Sequence, residues 1–564
     1  MSFGRQLAVW LVTLAALHAP AVAGGMRFSD VSDASGIDLT MTSGRTPSRD
    51  ILEVNGGGLA LFDYDRDGDL DLFLANGATL GDPERGPGSR LYANRGDGRF
   101  EDVTERVGIT LRRWAMGVAI ADYDGDGADD LYVACYGANV LLRNDVADSG
   151  KFIDVTQSAG VGDRHWSTSA AFGDIDGDAD ADLYVVNYLE FDHENPPDRR
   201  GKMFMGVPVM AGPAGLAPQA DVLYENLGGG KFREATRERG LVPRRPAYGL
   251  GVAMFDADRD GRLDLFVGND STENFLFRNL GQGKFEDVGV ISGIASNYDG
   301  GNQATMGIGI ADVDGNGLPD VFTTNFSSDT NTLHLNLDGK FFDDRTSQFG
   351  LAMVSRPFLG WGVGFHDFDS DGDEDLFCAN GHVYPEAASH SMDTDYEQPP
   401  LLFERSGKRF QRVVEAGAVF DTPHSGRATA FGDVDDDGDV DIVMSTLNGK
   451  VRLLRNDAPW ADVVVVELRD PRGSRFAHGS VVELIAGQRV QRRWITGGSY
   501  QSVDAPMAYF ATAGGVADKL ELRVIWPDGT SVTHTGVPLN RRVVVAQRAS
   551  KFESVPLRGR AGSE

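Results

Sequence analysis

The residues best placed to do chemistry are aspartates, and their spacing repeats. A nine-residue pattern, Asp-x-Asp-x-Asp-Gly-x-x-Asp, occurs with variation seven times. The copies are DYDRDGDLD, DYDGDGADD, DIDGDADAD, DADRDGRLD, DVDGNGLPD, DFDSDGDED and DVDDDGDVD. Calcium takes about six to eight oxygen ligands from a flexible loop, and alternate carboxylates in a tight turn supply them. The candidate ligands in the first four loops are Asp63, Asp65, Asp67, Asp69 and Asp71; Asp122, Asp124, Asp126 and Asp130; Asp174, Asp176, Asp178 and Asp182; and Asp256, Asp258, Asp260 and Asp264. Those in the last three are Asp312, Asp314, Asn316 and Asp320; Asp367, Asp369, Asp371 and Asp375; and Asp433, Asp435, Asp437 and Asp441. The seventh position offers a backbone carbonyl, and glycine at the sixth meets the turn's need for positive φ. An EF-hand loop begins alike, but here strands flank the loop and no glutamate stands at its twelfth position. Magnesium suits the pattern less, because it demands stricter geometry and keeps its waters. Seven ion-free acidic turns are the bland alternative, and each would stack at least three carboxylates with nothing to offset their repulsion.

The loops are not equal. Asn316 keeps an oxygen but drops a charge, and Ala179 stands where the other loops have glycine. A left-handed conformation costs a non-glycine residue roughly 1–2 kcal/mol, so the loop at Asp174 is expected to bind weakest. Up to seven calcium ions are expected, with a structural role. The loops hold 34 of the 84 acidic residues and so much of the net charge of −31. A phosphate backbone wants a basic surface, so no nucleic-acid partner is expected.

The elements that position the loops read as strands. Before each loop runs a segment of small and β-branched residues, such as MGVAIA or LGVAMF; after it comes an apolar run such as LYVA or LFVG. A second pattern, Phe-x-Asp-Val-Thr-x-x-x-Gly-Ile with variation, starts at Phe28, Phe100, Phe152, Phe232, Phe285, Phe342 and Phe410. It usually follows a turn such as NRGDGRF, whose Asn and Gly are expected to supply positive φ. Each repeat thus reads as four strands. The first Phe strand precedes the first loop and the last repeat lacks one, so the N-terminal strand is expected to complete the final repeat. That closes a ring and hides its edges. The expected fold is all-β: a seven-bladed β-propeller over 24–457, then a small β-rich, sandwich-like domain over 458–550 and a flexible tail over 551–564. An open solenoid is the alternative.

Residues 1–23 read as an export signal: Arg5 gives a basic start, 7–17 an apolar run, and Ala21-Val22-Ala23 a cleavage site. No later segment is long and apolar enough to span a bilayer. A secreted, periplasmic or cell-surface protein is therefore expected. The two cysteines, Cys135 and Cys378, lie in different repeats and are expected to be free, buried thiols.

The loops and their flanking strands resemble the FG-GAP or VCBS repeats of the integrin α-subunit propeller. The whole arrangement is similar to the cartilage acidic protein family, in which such a propeller precedes an ASPIC/UnbV domain. The residues that carry this are LYANRGDGRFEDVT, AMGVAIADYDGDG, Ala379-Asn380-Gly381-His382-Val383 and Gly498-Ser499-Tyr500-Gln501-Ser502. Phe510-Ala511-Thr512-Ala513-Gly514 departs from the Phe-Gly-Leu-Gly-like turn of that family. The resemblance implies an extracellular calcium-binding protein and supplies no ligand.

A ligand is expected on the channel face opposite the acid loops. Strand ends there carry Asn187, Asn269, Asn325 and Asn380; Trp114, Trp166 and Tyr248 lie eight residues before their loops; His165, Trp361, His382, His424 and Arg427 fall near the same rim. Aromatic rings and amides around a concave mouth suit a protein or glycan. Capping of strand ends by the asparagines and filling between blades by the aromatics are the competing readings. Arg95-Gly96-Asp97 spells an integrin-recognition tripeptide but lies in a repeated hairpin turn, and reads as turn chemistry. No nucleophile-elbow, zinc-protease or phosphate-loop signature occurs. The expected function is adhesion or binding; the alternative is a calcium-dependent, lyase-like carbohydrate enzyme using Arg427 or a rim histidine.

Overall fold

A computed structural model describes residues 25–198, 201–388, 392, 394–459, 461–470, 477–512 and 520–559. The expected signal, and Ala513 and Gly514 of the departing turn, lie outside them. The strands entering the acid loops are Leu59–Phe62, Ala115–Ala121, Ser167–Gly173, Gly249–Phe255, Ile308–Ala311, Gly360–His366 and Gly426–Gly432. Each pairs antiparallel with the strand leaving its loop, so that Phe62 faces Asp71 and Ala121 faces Asp130. Two further strands follow outward, and among the described residues this gives seven four-stranded sheets in the repeat region. The last sheet takes its fourth strand from the chain's beginning, with Phe28 opposite Asn456. The inner strands of successive sheets are neighbours, and that of the seventh abuts that of the first. The sheets are thus the blades of a β-propeller, numbered below in the order of their loops.

Nearly every inner-strand residue is buried, because each blade packs its two faces on its neighbours. Phe62 and Phe73 of blade one, for example, share a core with Val118, Ile120 and Leu131 of blade two. Polar groups staple the same joints. The asparagine ending the third strand donates from Nδ2 to a carbonyl of the preceding blade: Asn144 to Tyr64, Asn226 to Tyr123 and Asn279 to Ile175, each at 2.8 Å. Asn336, Asn456 and Asn94 repeat the bond to Ala257, Phe368 and Val434. In blade six Arg405 stands in, its Nη1 reaching the Val313 carbonyl at 3.1 Å. These asparagines are strand residues; the positive φ of the NRGDGRF turn comes from Gly96 and Gly98. The turn needs glycine there, and the asparagine serves the blade joint.

The second domain is two four-stranded sheets. Asp462–Arg469 lies between Met507–Thr512 and Arg541–Ala546, and Val481–Ala486 between Arg489–Trp494 and Leu520–Ile525. Val464, Val466, Phe510, Leu522 and Val524 fill the space between them. Of the expected tail, the described residues 551–559 are tied down: Glu553–Pro556 pairs with the strand Arg541–Ala546, and the Arg558 backbone N–H donates to Asp436 at 2.9 Å. An edge strand open to pairing takes up those residues.

This domain sits on the acid-loop face and sends residues 497–505 into the ring. Gln501 accepts from Val118 N–H at 3.1 Å and donates to Ser169 Oγ at 3.0 Å, Ser499 accepts from Val252, and Val503 donates to Leu59. Asp504 accepts from Phe431 at 3.2 Å, Ser499 Oγ bonds Ile308, and Tyr500 packs on Trp361 at 5.2 Å between ring centres. Every blade meets the loop. A Cβ on Gly58 would lie 1.9 Å from the Gln501 carbonyl oxygen, so the approach requires glycine. The channel that the inner strands line is therefore filled by the protein's own chain.

Candidate metal centres and a rim cavity

Each acid loop is shaped by its own carboxylates. The first aspartate accepts the N–H of the fifth and sixth residues: Asp63 from Asp67 at 3.1 Å and Gly68 at 2.9 Å, Asp367 from Asp371 and Gly372 at 3.0 and 2.7 Å. The fifth residue caps the seventh, as in Asp67 with Asp69 N–H and Asn316 with Leu318 N–H. The ninth accepts the N–H of the second residue and of the stapling position; Asp264 takes Ala257 at 3.0 Å and Asn279 at 2.8 Å. All seven loops turn at the fourth residue with positive φ, borne by glycine in three and by Arg66, Arg259, Ser370 and Asp436 in the others. At the sixth position Ala179 has φ 72°, the conformation glycine adopts elsewhere.

These turns gather the carboxylates. Oxygens of Asp63, Asp65 and Asp71 lie within 4.8 Å of one another, as do those of Asp122, Asp124 and Asp130, of Asp174, Asp176 and Asp182, of Asp256, Asp258 and Asp260, and of Asp312, Asp314 and Asp320. Burial, opposed by the Asn94 N–H and reinforced by the charges of Asp65 and Asp63, pushes Asp71 up to about 9. Burial likewise raises Asp182, Asp264 and Asp320 to about 8. Crowded, half-desolvated carboxylates are what a divalent cation offsets, so this donor set fits a hard metal ion. Several of the expected ligands also meet arginines: Asp69 is drawn to the Arg558 guanidinium, and Asp176 and Asp258 lie 2.9 and 3.0 Å from Arg239 and Arg278. Other arginines of the second domain meet this face too, Arg492 at Asp312 (3.3 Å), Arg489 at Asp373 (3.5 Å) and Arg493 at Glu374 (3.4 Å).

At the opposite rim most of the expected ligand residues are structural. Trp114 and Trp166 are buried and pack on Tyr136 at 6.4 and 5.9 Å, so neither forms part of an open mouth. The strand-end amides turn inward: Asn187 Nδ2 donates to Asp163 and Ala220, Asn269 to Glu273, Asn325 to Thr330 and Asn380 to Pro399. Arg427 is fully buried beneath Trp361, 4.2 Å from its ring, and donates to the carbonyls of Val54, Gly381, Gly426 and His382. His382 is buried as well, accepting from Tyr384 N–H at Nδ1 and bonding Ser327 at 2.9 Å. Burial and then the Arg427 charge lower it to about 3. His424 is tied through its backbone to Gln398, Tyr248 donates to the Leu216 carbonyl, and the half-exposed His165 bonds Asp163 at 2.6 Å.

The structure opens a cavity of about 480 Å³ nearby. Tyr188, Asp270 and Phe326 line it from blades three, four and five, with Trp361 from blade six; Phe204 and Met210 cover it from one long connection and Val383 and Tyr384 from the other. Phe204, Phe326 and Tyr384 pack on one another with ring centres 5.4–5.8 Å apart. Of the twelve rim residues expected to bind, Trp361 alone lines this space. Tyr188, Asp270 and Phe326 each follow an expected asparagine by one residue. Successive side chains of a strand alternate in direction, so the residue beside each inward amide lines the cavity.

Fold and loops together define a β-propeller of acid-loop repeats topped by a β-rich domain. The FG-GAP-like repeat model matches residues 63–133, 122–185, 256–323 and 312–378, and the ASPIC and UnbV model matches 470–552. Cartilage acidic protein 1 of Xenopus tropicalis is 26% identical over 514 residues, covering 85% of this chain and 71% of that protein. The Mus musculus protein is 25% identical, over 85% of this chain and 71% of its own. Among solved structures, YCF48 bound to D1 peptide aligns with a TM-score of 0.41 at 10% identity, covering 78% of this chain and 99% of that one. The chain thus carries FG-GAP-like repeats followed by an ASPIC and UnbV domain, and over most of its length it is similar in sequence to the cartilage acidic proteins.

Proposed function

We propose that this is an exported, calcium-loaded binding protein that recognises a protein or glycan at the rim opposite its acid loops. The observation that supports it best is the aromatic cavity there, built from four blades and roofed by two long connections. Calcium is the structural partner: up to seven ions, held by alternate aspartates, would tie the turn of each inner hairpin and offset carboxylates that otherwise repel. The loop at Asp174 holds its ion least well, because Ala179 carries the strained φ. The lyase reading relied on Arg427 or a rim histidine; Arg427 and His382 are buried with their polar atoms already bonded, which favours binding over chemistry.

The test is capture from immobilised glycan and protein panels by the calcium-loaded chain and by Phe326→Ala and Tyr384→Ala variants. Loss of the same ligand in both variants, with the unfolding midpoint unchanged, supports the reading. Capture that survives both variants overturns it.

A further inference from the structure

The rim cavity has a charge pattern that narrows what it can hold. Among the described residues no lysine, arginine or histidine lines it, whereas two carboxylates do, Asp270 and Asp329. Asp270 closes strand Asp264–Asn269 and has two partners, the Tyr188 hydroxyl at 2.5 Å and the Ser271 hydroxyl at 2.8 Å. Both are neutral donors; no cation pairs with it among the described residues. A carboxylate held by two hydroxyls among aromatic walls keeps lone pairs for a further donor, and a desolvated anion is costly unless a cation pairs with it. Aromatic faces nearby favour the same charge. The lining also holds Asn55, 3% exposed, whose Nδ2 has no acceptor among the described residues. A buried amide without an acceptor is an opening for a ligand oxygen.

We propose that the cavity takes an organic ammonium: a protonated amine seated at Asp270, an apolar or aromatic body against Phe326, Phe204 and Tyr384, and an acceptor oxygen facing Asn55. This rests on the reading of the rim as the binding face and names the chemistry of its ligand. A cavity of about 480 Å³ falls in the range of roughly 300–1,000 Å³ usual for small-molecule sites. Carboxylated, sulfated and phosphorylated ligands are disfavoured, since both charges at the wall would repel them. The ammonium can come from a free amine or from a lysine side chain of a bound protein; the chemistry is the same.

Isothermal titration of the calcium-loaded chain decides it, using three probes of one shape: 2-amino-1-phenylethanol, the neutral 1-phenyl-1,2-ethanediol and the anionic mandelate. The amine is expected to bind at least tenfold more tightly than the diol, with mandelate silent, and Asp270→Asn should remove that preference. The remaining oxygen of asparagine can still accept from Tyr188 while its Nδ2 donates to the Ser271 hydroxyl oxygen, so the variant should keep its unfolding midpoint; Asn55→Ala, expected to weaken the amine and the diol alike, is a second handle. Nα-acetyl-lysine amide against its norleucine counterpart tests the side-chain source: a lysine preference abolished by Asp270→Asn supports that source, and binding of the free amine alone supports the other. Equal affinity for amine and diol, or a preference that survives Asp270→Asn, overturns the ammonium assignment while leaving the rim as a binding face. Failure of all five probes to bind also overturns it, whereas failure of the rim itself would appear separately in the panel capture with Phe326→Ala and Tyr384→Ala.

Discussion

Ala179 is a single methyl group in the wrong half of conformational space. Its φ of 72° matches that of the glycines at the sixth position of the other loops, so Ala179→Gly should relieve strain of about 1 kcal/mol. A higher urea midpoint in calcium-free buffer, and tighter calcium binding at that loop, are the expected results. His382 sets a second prediction. Its Nδ1 accepts the Tyr384 N–H, so a proton there would cost that bond, and burial together with Arg427 holds the imidazole near 3. The folded value lies below the unfolded one of 6.5. The stability tied to neutral His382 is therefore full above about pH 6.5 and is lost as pH falls toward 3, at up to about 1.4 kcal/mol per pH unit. Chemical unfolding at a series of pH values should show a shallower acid slope for His382→Asn, whose Oδ1 can still accept the Tyr384 N–H and which cannot gain the proton.

Among the elements, the blade joints depend on one amide each. Asn279 Nδ2 donates to Ile175 and Leu263, and its oxygen accepts from Gly281 N–H. Asn279→Ala strands buried carbonyls and should cost on the order of 2–3 kcal/mol, read from urea unfolding. Arg405→Ala should act likewise in blade six, since Arg405 donates to the Val313 carbonyl there. The strands themselves were legible from sequence, because loops and Phe strands recur with fixed order and the apolar runs between them can only be buried. What was not legible follows from the same repeats. The asparagine of NRGDGRF looked like turn chemistry, since a sequence shows the neighbouring glycines and not the blade beside them. The expected ligand residues stand one position from the cavity lining: the amides of Asn187, Asn269 and Asn325 attract attention by type, while the alternation of a strand hands the cavity to Tyr188, Asp270 and Phe326. Trp114 and Trp166 were likewise read at the right height of the blade and on its packed side.

For the whole molecule, the two domains share one surface. The arginines at Asp312, Asp373 and Asp69 dock the second domain on the very loops that gather carboxylates. Removing metal should therefore weaken both domains together. Scanning calorimetry is expected to give one coupled transition whose midpoint falls by many degrees in EDTA and returns with calcium, since each site filled at about a thousandfold over its Kd adds about 4 kcal/mol. An unmoved midpoint would mean that the loops need no ion. None of this docking could be read from periodicity, because the contacts join residues hundreds of positions apart, as Arg558 and Asp69 do.

The pairing of Phe28–Asp30 with Arg452–Asn456 sets a timetable for synthesis. A chain delivered from its N-terminus presents that strand first and supplies its partner only after all the other blades have emerged. The plug at 497–505 arrives later still. Through that interval one blade edge lies bare and the bore of the ring is empty, so the nascent protein spends most of its delivery as an unfinished and adhesive arc. A circular permutant beginning at residue 426, with the old termini joined, delivers all four strands of blade seven and the plug before any other blade, and should aggregate less during synthesis.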